Sequence, residues 1–347
     1  MTAIDFAARG LANRALAARN THLFDETASC DVPAGIDRIA TTGHGKPGLG
    51  AAHYVHDALC DATLLATHPA CAFQSADGRI FRLLPSNGAI SVEQCGAEGD
   101  PDGTNLVNDQ PAIQAALDYA AATGIGEVLF EQRAYSIWAT ERVSPMDQLY
   151  ARDGHPLTIT ATVSLRSACG DSYLNFRGRD GSSMEDDWYL VKTTAADSEP
   201  NMVWRGGGLF VLGDFGALPT PLSIEKLTID HVHLIGGRAR TGNHGAMSIT
   251  TGDGWDITDK GFWLQDSAVG RIELIGVEIA GFKGELYFIG GTGVEEELLV
   301  DCHFHTTNAD ALNSGSLGRS SARNCRFGNA YQAAETIGGA FQTYSQC

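Results

Sequence analysis

The sequence predicts a mainly β solenoid, and three observations carry that expectation. The first is an internal repeat. Four segments align: "LTIDHVHL" (227–234), "IELIGVEI" (272–279), "ELLVDCHF" (297–304) and "ARNCRF" (322–327). Val232, Val277, Cys302 and Cys325 fall in one column, Leu234, Ile279, Phe304 and Phe327 in the next but one, at offsets of 45, 25 and 23 residues. Such lengths suit coils that bury their inward side chains on the coils above and below. The second is composition: 41 glycines, 43% hydrophobic residues and only 19% charged residues fit many short strands joined by tight turns. The third is a turn–helix–strand unit, residues 92–130, that occurs once and leads into the repeats.

That unit reads clearly along the chain. Ile90, Val92 and Cys95 sit near alternating spacing, as in a short strand. "GAEGDPDGT" supplies turn residues. Asp109 is a suitable N-cap, and Pro111 is tolerated in the first helical turn. Ile113, Ala116, Leu117 and Ala120 make a narrow apolar stripe at helical spacing. "TGIG" (123–126) ends the helix, and Val128 and Phe130 resume alternation. So small an apolar face covers a neighbouring surface; it does not build a core. Further on, the offset of 45 stands for two coils or for one coil with a long excursion, "GDGWDITDKGFW" (252–263). "GGGLFVLGDFGALPTPLSIEKL" (206–227) reads as an earlier coil, and the repeat is weaker between 135 and 221.

"VEQCGAEGDPDGTNLVNDQPAIQAALDYAAATGIGEVLF" (92–130) resembles the opening segment of the pectate-lyase-like superfamily of right-handed parallel β-helix proteins, which includes polysaccharide lyases, glycosidases and phage tailspikes. The match covers about a tenth of the chain. Cys95 stands where that pattern has Phe, Asn108-Asp109 where it has Asp-Asp, and Gln132-Arg133 where it has Pro-Gly before Tyr135. The resemblance implies a right-handed parallel β-helix whose first coil is capped by the helix; it carries no catalytic residue. "CAFQSADGRIFRLLPSNGAISVEQ" (71–94) resembles the hairpin-like stretch that precedes this segment in phage tailspikes. The expected organisation is a separate N-terminal head over 1–90, serving to attach the chain to a virion-like particle, and a β-helix domain over 91–347. An ordinary capping domain, or an enzyme that has lost its signal, is the alternative. "GGAFQTYSQC" stops inside what should be another coil, so the natural chain is expected to continue or to be covered by a partner. A homotrimer is the expected assembly.

A formal charge of −18 argues against nucleic acid or an anionic membrane bound through a basic patch. No apolar run approaches the roughly 20 residues of a membrane span. The first twenty residues disperse their apolar side chains among Arg9, Arg14 and Arg19, so they read as a short amphipathic helix (Ile4, Ala7, Leu11, Ala15) and not as a secretory signal. That favours synthesis in the cytoplasm and residence on a particle surface; secretion is the alternative. The eight cysteines show no C-x-x-C pair, and Cys302 and Cys325 are expected as buried thiols in adjacent coils.

Chemistry is sought where carboxylates stack. Glu285, Asp310 and Glu335 are each 25 residues apart, although the repeat advances by 23 at the last step, so Glu335 needs a two-residue slip to join the column. Coils stand about 4.8 Å apart. Stacked neighbours would then lie near the ~5–5.5 Å separation of retaining glycosidases, and Glu285 to Glu335 near the ~6.5–9.5 Å of inverting ones. Like charges so close raise one pKa, as a general acid requires. "NADALNSG" also resembles the Asn-x-Asp-Gly-Ile-Asn segment of polysaccharide-active β-helices, in which the Asp often faces the groove. Solvated turn acids are the plain alternative. Two stretches rival this ladder: "SSMEDDWYL" (182–190), with Glu185, Asp186, Asp187 and Trp188, and 252–263, with Asp253, Asp256 and Asp259 between Trp255 and Trp263. Tryptophan stacks on sugar faces and carboxylates accept sugar hydroxyls, so Trp188, Trp255, Trp263, Asp186 and Asp256 are the candidate glycan contacts. No cofactor is required; calcium is the ion these loops suit, without a recognised spacing of ligands. His303 and His305 alternate and so share a face, as surface or groove histidines, and no metal site is assigned. A lyase would want a base, for which Arg319, Arg323 and Arg326 are available. The combined expectation is a tailspike-like protein that binds cell-surface polysaccharide and cleaves it by hydrolysis; a non-catalytic glycan-binding spike and a free polysaccharide lyase are the alternatives.

Overall fold

The computed structural model describes residues 22–100, 106–138, 142–143, 156–178, 181, 203–204, 207–211, 223–241, 259–265, 268–290, 293–315, 318–336 and 341–347. The chain divides into two compact units, one of residues 1–98 and 111–129, the other of 99–110 and 130–347. Among the described residues no helix is long and apolar enough to cross a membrane.

In the first unit, β1 (Arg38–Ala40), β2 (His53–Val55), β3 (Ala72–Gln74) and β4 (Ile80–Leu84) form an antiparallel sheet in the order β1-β2-β4-β3. β3 and β4 are the hairpin expected over 71–94, with Phe73 opposite Phe81. Phe24, Tyr54, Phe73 and Phe81 bury an aromatic core in which Phe73 and Phe81 stack at 5.3 Å. β5 (Ala89–Ser91) pairs in parallel with β6 (Glu127–Phe130). The helix Gln110–Thr123 buries Ile113, Ala116, Leu117 and Ala120, the stripe read from the sequence, together with Tyr119. The Tyr119 hydroxyl donates to the Leu83 carbonyl at 2.7 Å, which ties the helix to the antiparallel sheet. At the helix start, Asn108 Oδ1 accepts from the Gln110 N–H at 3.2 Å, whereas the Asp109 carboxylate accepts from the Gly99 and Ser136 N–H groups. Asn108 thus adds a side-chain bond at the helix start, beside Asp109 in the position before the first helical residue.

The second unit is a solenoid of parallel strands. β7 (Ala134–Ile137) and β9 (Leu157–Ile159) belong to the first described coil, with β8 (Arg142–Val143) between them. β10 (Val163–Ser167), β11 (Ser172–Phe176) and β13 (Leu209–Val211) form the second, with β12 (Val203–Trp204) pairing back on β8. The third is β14 (Ser223–Asp230), β15 (Val232–Ile235) and β16 (Phe262–Gln265). The fourth is β17 (Ala268–Ile275), β18 (Glu278–Phe282) and β19 (Tyr287–Gly290). The fifth is β20 (Val294–Val300), β21 (His303–Thr307) and β22 (Leu312–Ser314). The sixth is β23 (Arg319–Arg323), β24 (Arg326–Gly328) and β25 (Glu335–Thr336), and β26 (Phe341–Ser345) follows it. Sheet one runs β10-β14-β17-β20-β23-β26, sheet two β7-β11-β15-β18-β21-β24, and sheet three β9-β13-β16-β19-β22-β25.

The rungs of these three sheets are parallel and in register. Tyr135, Leu174, Leu234, Ile279, Phe304 and Phe327 form one column of sheet two, so the aligned segments are adjacent coils. Because β15 pairs directly with β18, the longest offset of the repeat is one coil carrying an excursion, and the weaker repeat upstream is coiled in the same way. Cys302 and Cys325 are neighbours in their column and are free, buried thiols. The inward alternation of Leu165, Ile229, Leu274 and Leu299 fills sheet one, and the rings of Phe262 and Tyr287 stack at 5.0 Å in sheet three.

Candidate functional site

In the last three complete coils the corner between sheets two and three is a short turn, but in the first three an excursion leaves there: residues 138–156, 177–208 and 236–261. Backbone N–H groups step from coil to coil across this corner: Gly208 to Lys260 O, Gly261 to Glu285 O, Leu286 to Asp310 O and Ala311 to Gln332 O, at 2.7–3.2 Å. The resulting column is Gly207, Lys260, Glu285, Asp310, Gln332. The backbones meet so closely beside it that a Cβ on Gly208 would lie 2.1 Å from Gly261 O and one on Gly261 2.6 Å from Leu286 O, which accounts for glycine at 208 and 261.

Charge is concentrated there and withheld from water. Arg238, Asp259, Lys260, Lys283, Glu285 and Asp310 are all buried. Lys260 forms an ion pair with Glu285, its partner one coil on. Arg238 Nε lies 2.9 Å from Asp259 Oδ2, and Asp259 also accepts from the Gly207 and Lys283 N–H groups at 3.1 and 2.8 Å. The Lys260 ammonium lies 4.0 Å from the centre of the Phe288 ring. The first residues of the third excursion run along the later turns and close the corner from outside. Lys283 Nζ donates to Ala239 O at 3.1 Å, the Thr241 N–H donates to Asn308 Oδ1 at 2.9 Å, and Arg240 reaches Asn329 Oδ1 at 3.4 Å. Three cations and three carboxylates are thus buried at this corner, Arg238 paired with Asp259 and Lys260 with Glu285, an arrangement in which any change of protonation or ligation is felt strongly.

Of the expected ladder, Glu285 and Asp310 share the column. Glu335 does not: β22 and β25 pair Asn313 with Glu335, while Asp310 pairs with Gln332. The step from Asp310 to Gln332 is shorter than the step from Glu285 to Asp310, so an even count runs past the column and Glu335 stands on the strand beyond it. Trp263 is 3% exposed and packs edge-on to Phe288 at 6.4 Å, forming part of the corner wall. Asp259 is the Arg238 partner. Trp188, Asp186, Glu185, Asp187, Asp253, Trp255, Asp256 and the amphipathic segment 1–20 lie outside the described residues. Arg319, Arg323 and Arg326 are exposed on β23 and β24.

Lys260, Lys283 and Arg238 are not among the residues the sequence points to; a cation one coil length before Glu285 is the available signal for the first. Two further groupings are only partly visible in the sequence, which points to His303 and His305 but not to Glu297 or Glu278. Glu297 occupies an inward position in the column of Leu227 and Ile272, fully buried. It accepts from Ser320 at 2.8 Å, Ser314 at 2.8 Å and the Tyr287 hydroxyl at 3.1 Å, and burial pushes its carboxyl up from the ordinary value of 4.5. On the outer face of sheet two, Glu278 stands beside His303 and His305. Burial, then the neighbouring His305, hold the His303 imidazole below its ordinary range.

Stacked coils with one strand in each of three parallel sheets define the parallel β-helix class. Among solved structures, tailspike protein 2 from Escherichia coli O157:H7 bacteriophage CAB120 is similar over 92% of this chain and 36% of its own length, with 12% identity and a TM-score of 0.54. A tailspike, gp49, from Acinetobacter baumannii bacteriophage Fri1, described as a capsular polysaccharide depolymerase, matches over 88% of this chain and 46% of its own (13% identity, TM-score 0.44). The A-module of the Azotobacter vinelandii mannuronan C-5 epimerase AlgE6 matches over 73% and 57% (17% identity, TM-score 0.42). This chain thus spans less than two thirds of each. No family model and no curated protein matches the sequence.

Proposed function

We propose that this chain is a tailspike-like protein that binds cell-surface polysaccharide at the corner between sheets two and three and cleaves it by glycoside hydrolysis. The observation that carries the reading is the buried column in which Glu285 and Asp310 follow one another on adjacent coils, beneath the point where the third excursion leaves. Adjacent coils are about 4.8 Å apart, which suits the close carboxyl pair of a retaining mechanism. Glu285, paired with Lys260, is the group that attacks or stabilises the sugar. Asp310 is then the proton donor to the leaving oxygen. The excursions, with Trp188, Trp255, Asp186 and Asp256 in their sequences, supply stacking and hydroxyl contacts. A virion-surface location, particle attachment through the N-terminal unit and a homotrimer complete the proposal; the shared fold of a phage tailspike supports it.

Non-catalytic recognition is the second reading, favoured by the burial of both carboxyls, 7% and 6% exposed. Capsular and exopolysaccharide panels, assayed for new reducing ends and for unsaturated uronate absorbance, separate the readings. Hydrolysis gives reducing ends alone, and a lyase gives both signals. A pure binder gives neither while still retaining polymer. Asp310→Asn and Glu285→Gln should each lower hydrolysis by roughly 10²–10⁴-fold with binding kept. Full turnover in both variants, with loss in Asp186→Asn or Asp256→Asn, would move the site into the excursions.

A further inference from the structure

We propose that Glu278, His303 and His305 form a binding site for one divalent transition-metal ion of the zinc type on the outer face of sheet two, a role separate from the polysaccharide corner. The donor set is assembled by the coil repeat itself. His303 and His305 alternate on β21 and so project from one face. Glu278 on β18 is the rung partner of His303, one coil earlier. One ligand atom from each of the three lies within 4.8 Å of the other two. Zinc–nitrogen and zinc–oxygen bonds of about 2.0–2.2 Å place tetrahedral ligands about 3.3 Å apart. His305 Nε2 and Glu278 Oε1 already stand 3.0 Å apart, close to such an edge. The two imidazole centroids are 4.2 Å apart, and His303 is exposed, so its ring is free to turn the remaining distance.

The His305 ring is oriented from behind, as a metal ligand needs to be. Thr306 Oγ1 lies 2.8 Å from His305 Nδ1 and accepts from Asn329 Nδ2 at 3.0 Å. With Nδ1 carrying the proton toward Thr306, Nε2 is the lone pair that faces the ion. Thr306 is held at φ +66°, a region a β-branched residue rarely adopts, and this places its hydroxyl behind the ring. The Glu278 N–H donates to His233 Nδ1 at 2.9 Å, and His233 Nε2 faces Asp171 Oδ1 at 3.1 Å. Both nitrogens of His233 are thereby engaged, so it anchors the backbone at Glu278 and is not itself a ligand. Two imidazoles with one carboxylate select a borderline ion over calcium or magnesium, which take oxygen sets.

The test uses the full chain, stripped with chelator. Zinc chloride titrated calorimetrically should bind at one ion per chain, and His303→Gln and Glu278→Gln should each weaken that binding at least tenfold. Cobalt(II) in place of zinc should give visible d–d bands without the near-ultraviolet thiolate band that cysteine ligation would add. His231→Ala, an exposed histidine outside the cluster, should leave both signals unchanged. Circular dichroism checks the fold of each variant; these are outer-face positions of a coil whose core they do not enter. Absence of zinc uptake, a thiolate band, or a cobalt spectrum that persists in the His303→Ala/His305→Ala double variant would each overturn the assignment.

Discussion

Two corners of the same solenoid behave in opposite ways. Between sheets one and two, the coils from the third to the sixth turn on a single residue with positive φ: His231 (+54°), Gly276 (+59°), Asp301 (+56°) and Asn324 (+54°). These four are stacked on successive rungs, and Asn324 Nδ2 donates to Asp301 Oδ1 at 2.5 Å along the stack. Asn, Asp and His tolerate the left-handed region better than other side chains, and so the turn is kept short and uniform. Between sheets two and three there is no such constraint, and three coils carry excursions while three do not. One corner sets the geometry of the stack. The other is where length can vary without cost to the stack, so functional groups accumulate there.

The sharpest way to break this comparison is to make the open corner resemble the closed one. Replacing 242–258 by a short turn like 308–311 should leave the parallel coils folded, as read by circular dichroism and cooperative melting. If the excursion supplies the glycan contacts, polysaccharide affinity should fall by roughly hundredfold or more, the loss expected when a binding hot spot is removed. Unchanged affinity would place recognition elsewhere.

The next largest effect tests the buried charge of the open corner. Lys260→Met keeps most of the side-chain length and removes the ammonium, leaving Glu285 without that partner in a site where the two side chains are 2% and 9% exposed. Breaking a buried pair from one side costs about 3–5 kcal/mol. Urea unfolding should report a loss of that order. The double change Lys260→Met with Glu285→Leu should recover much of it, since two apolar groups need no partner.

What is legible in the sequence follows the same division. From 268 onward coil length is nearly constant, so Ile279, Phe304 and Phe327 can be read directly as a column, with Leu234 joining it across one excursion, and so can the pairing of Glu285 with Asp310. Upstream, the same column continues through Tyr135 and Leu174, but the excursions stretch its steps far beyond one plain coil, and periodicity is lost. Glu335 fails for the complementary reason: the last coil is shorter than its neighbours, and an even count overshoots. Lys260 and Glu278 each sit one coil before a residue that the sequence does point to, Glu285 and His303. A column followed for like residues hides them, whereas one followed for complementary residues would show both. Arg238 has no such signal, since its partner Asp259 is brought back by an excursion whose path the sequence does not specify.

A third prediction concerns the interior that both corners enclose. Burial raises the Glu297 carboxyl above 4.5, so between that value and its folded pKa the folded chain holds a proton that the unfolded chain has released. Stability supplied by this group is therefore complete below 4.5 and is lost as pH rises toward the folded value. Each pH unit in that window costs about 1.4 kcal/mol. Glu297→Gln retains partners for Ser314, Ser320 and Tyr287 and does not titrate. Its stability relative to the wild type should thus improve between pH 5 and pH 7 in urea unfolding. An equal difference at the two pH values would show that Glu297 titrates normally.

The smallest effect sharpens the contrast most, because it repeats the geometry of the Lys260 pair in a different place. Arg271 Nη1 and Glu296 Oε2 are 2.9 Å apart, and the two residues are rung partners on adjacent coils, as close in the stack as Lys260 and Glu285 are. Here the pair lies on the outer face of sheet one, with each side chain 38% exposed. Water and salt screen the attraction, and holding two long side chains together costs rotamer freedom, so such pairs contribute about 0.2–1 kcal/mol. Arg271 also has Glu273 beside it, so loss of one partner leaves the guanidinium engaged. Glu296→Gln should therefore move the unfolding midpoint only slightly, and the shift should vanish in high salt. The cost of Lys260→Met should survive the same salt, since its partner carboxylate is out of reach of solvent. Equal salt sensitivity of the two variants would mean that the corner is wet, and the separation of a dry corner from a solvated sheet face would fail.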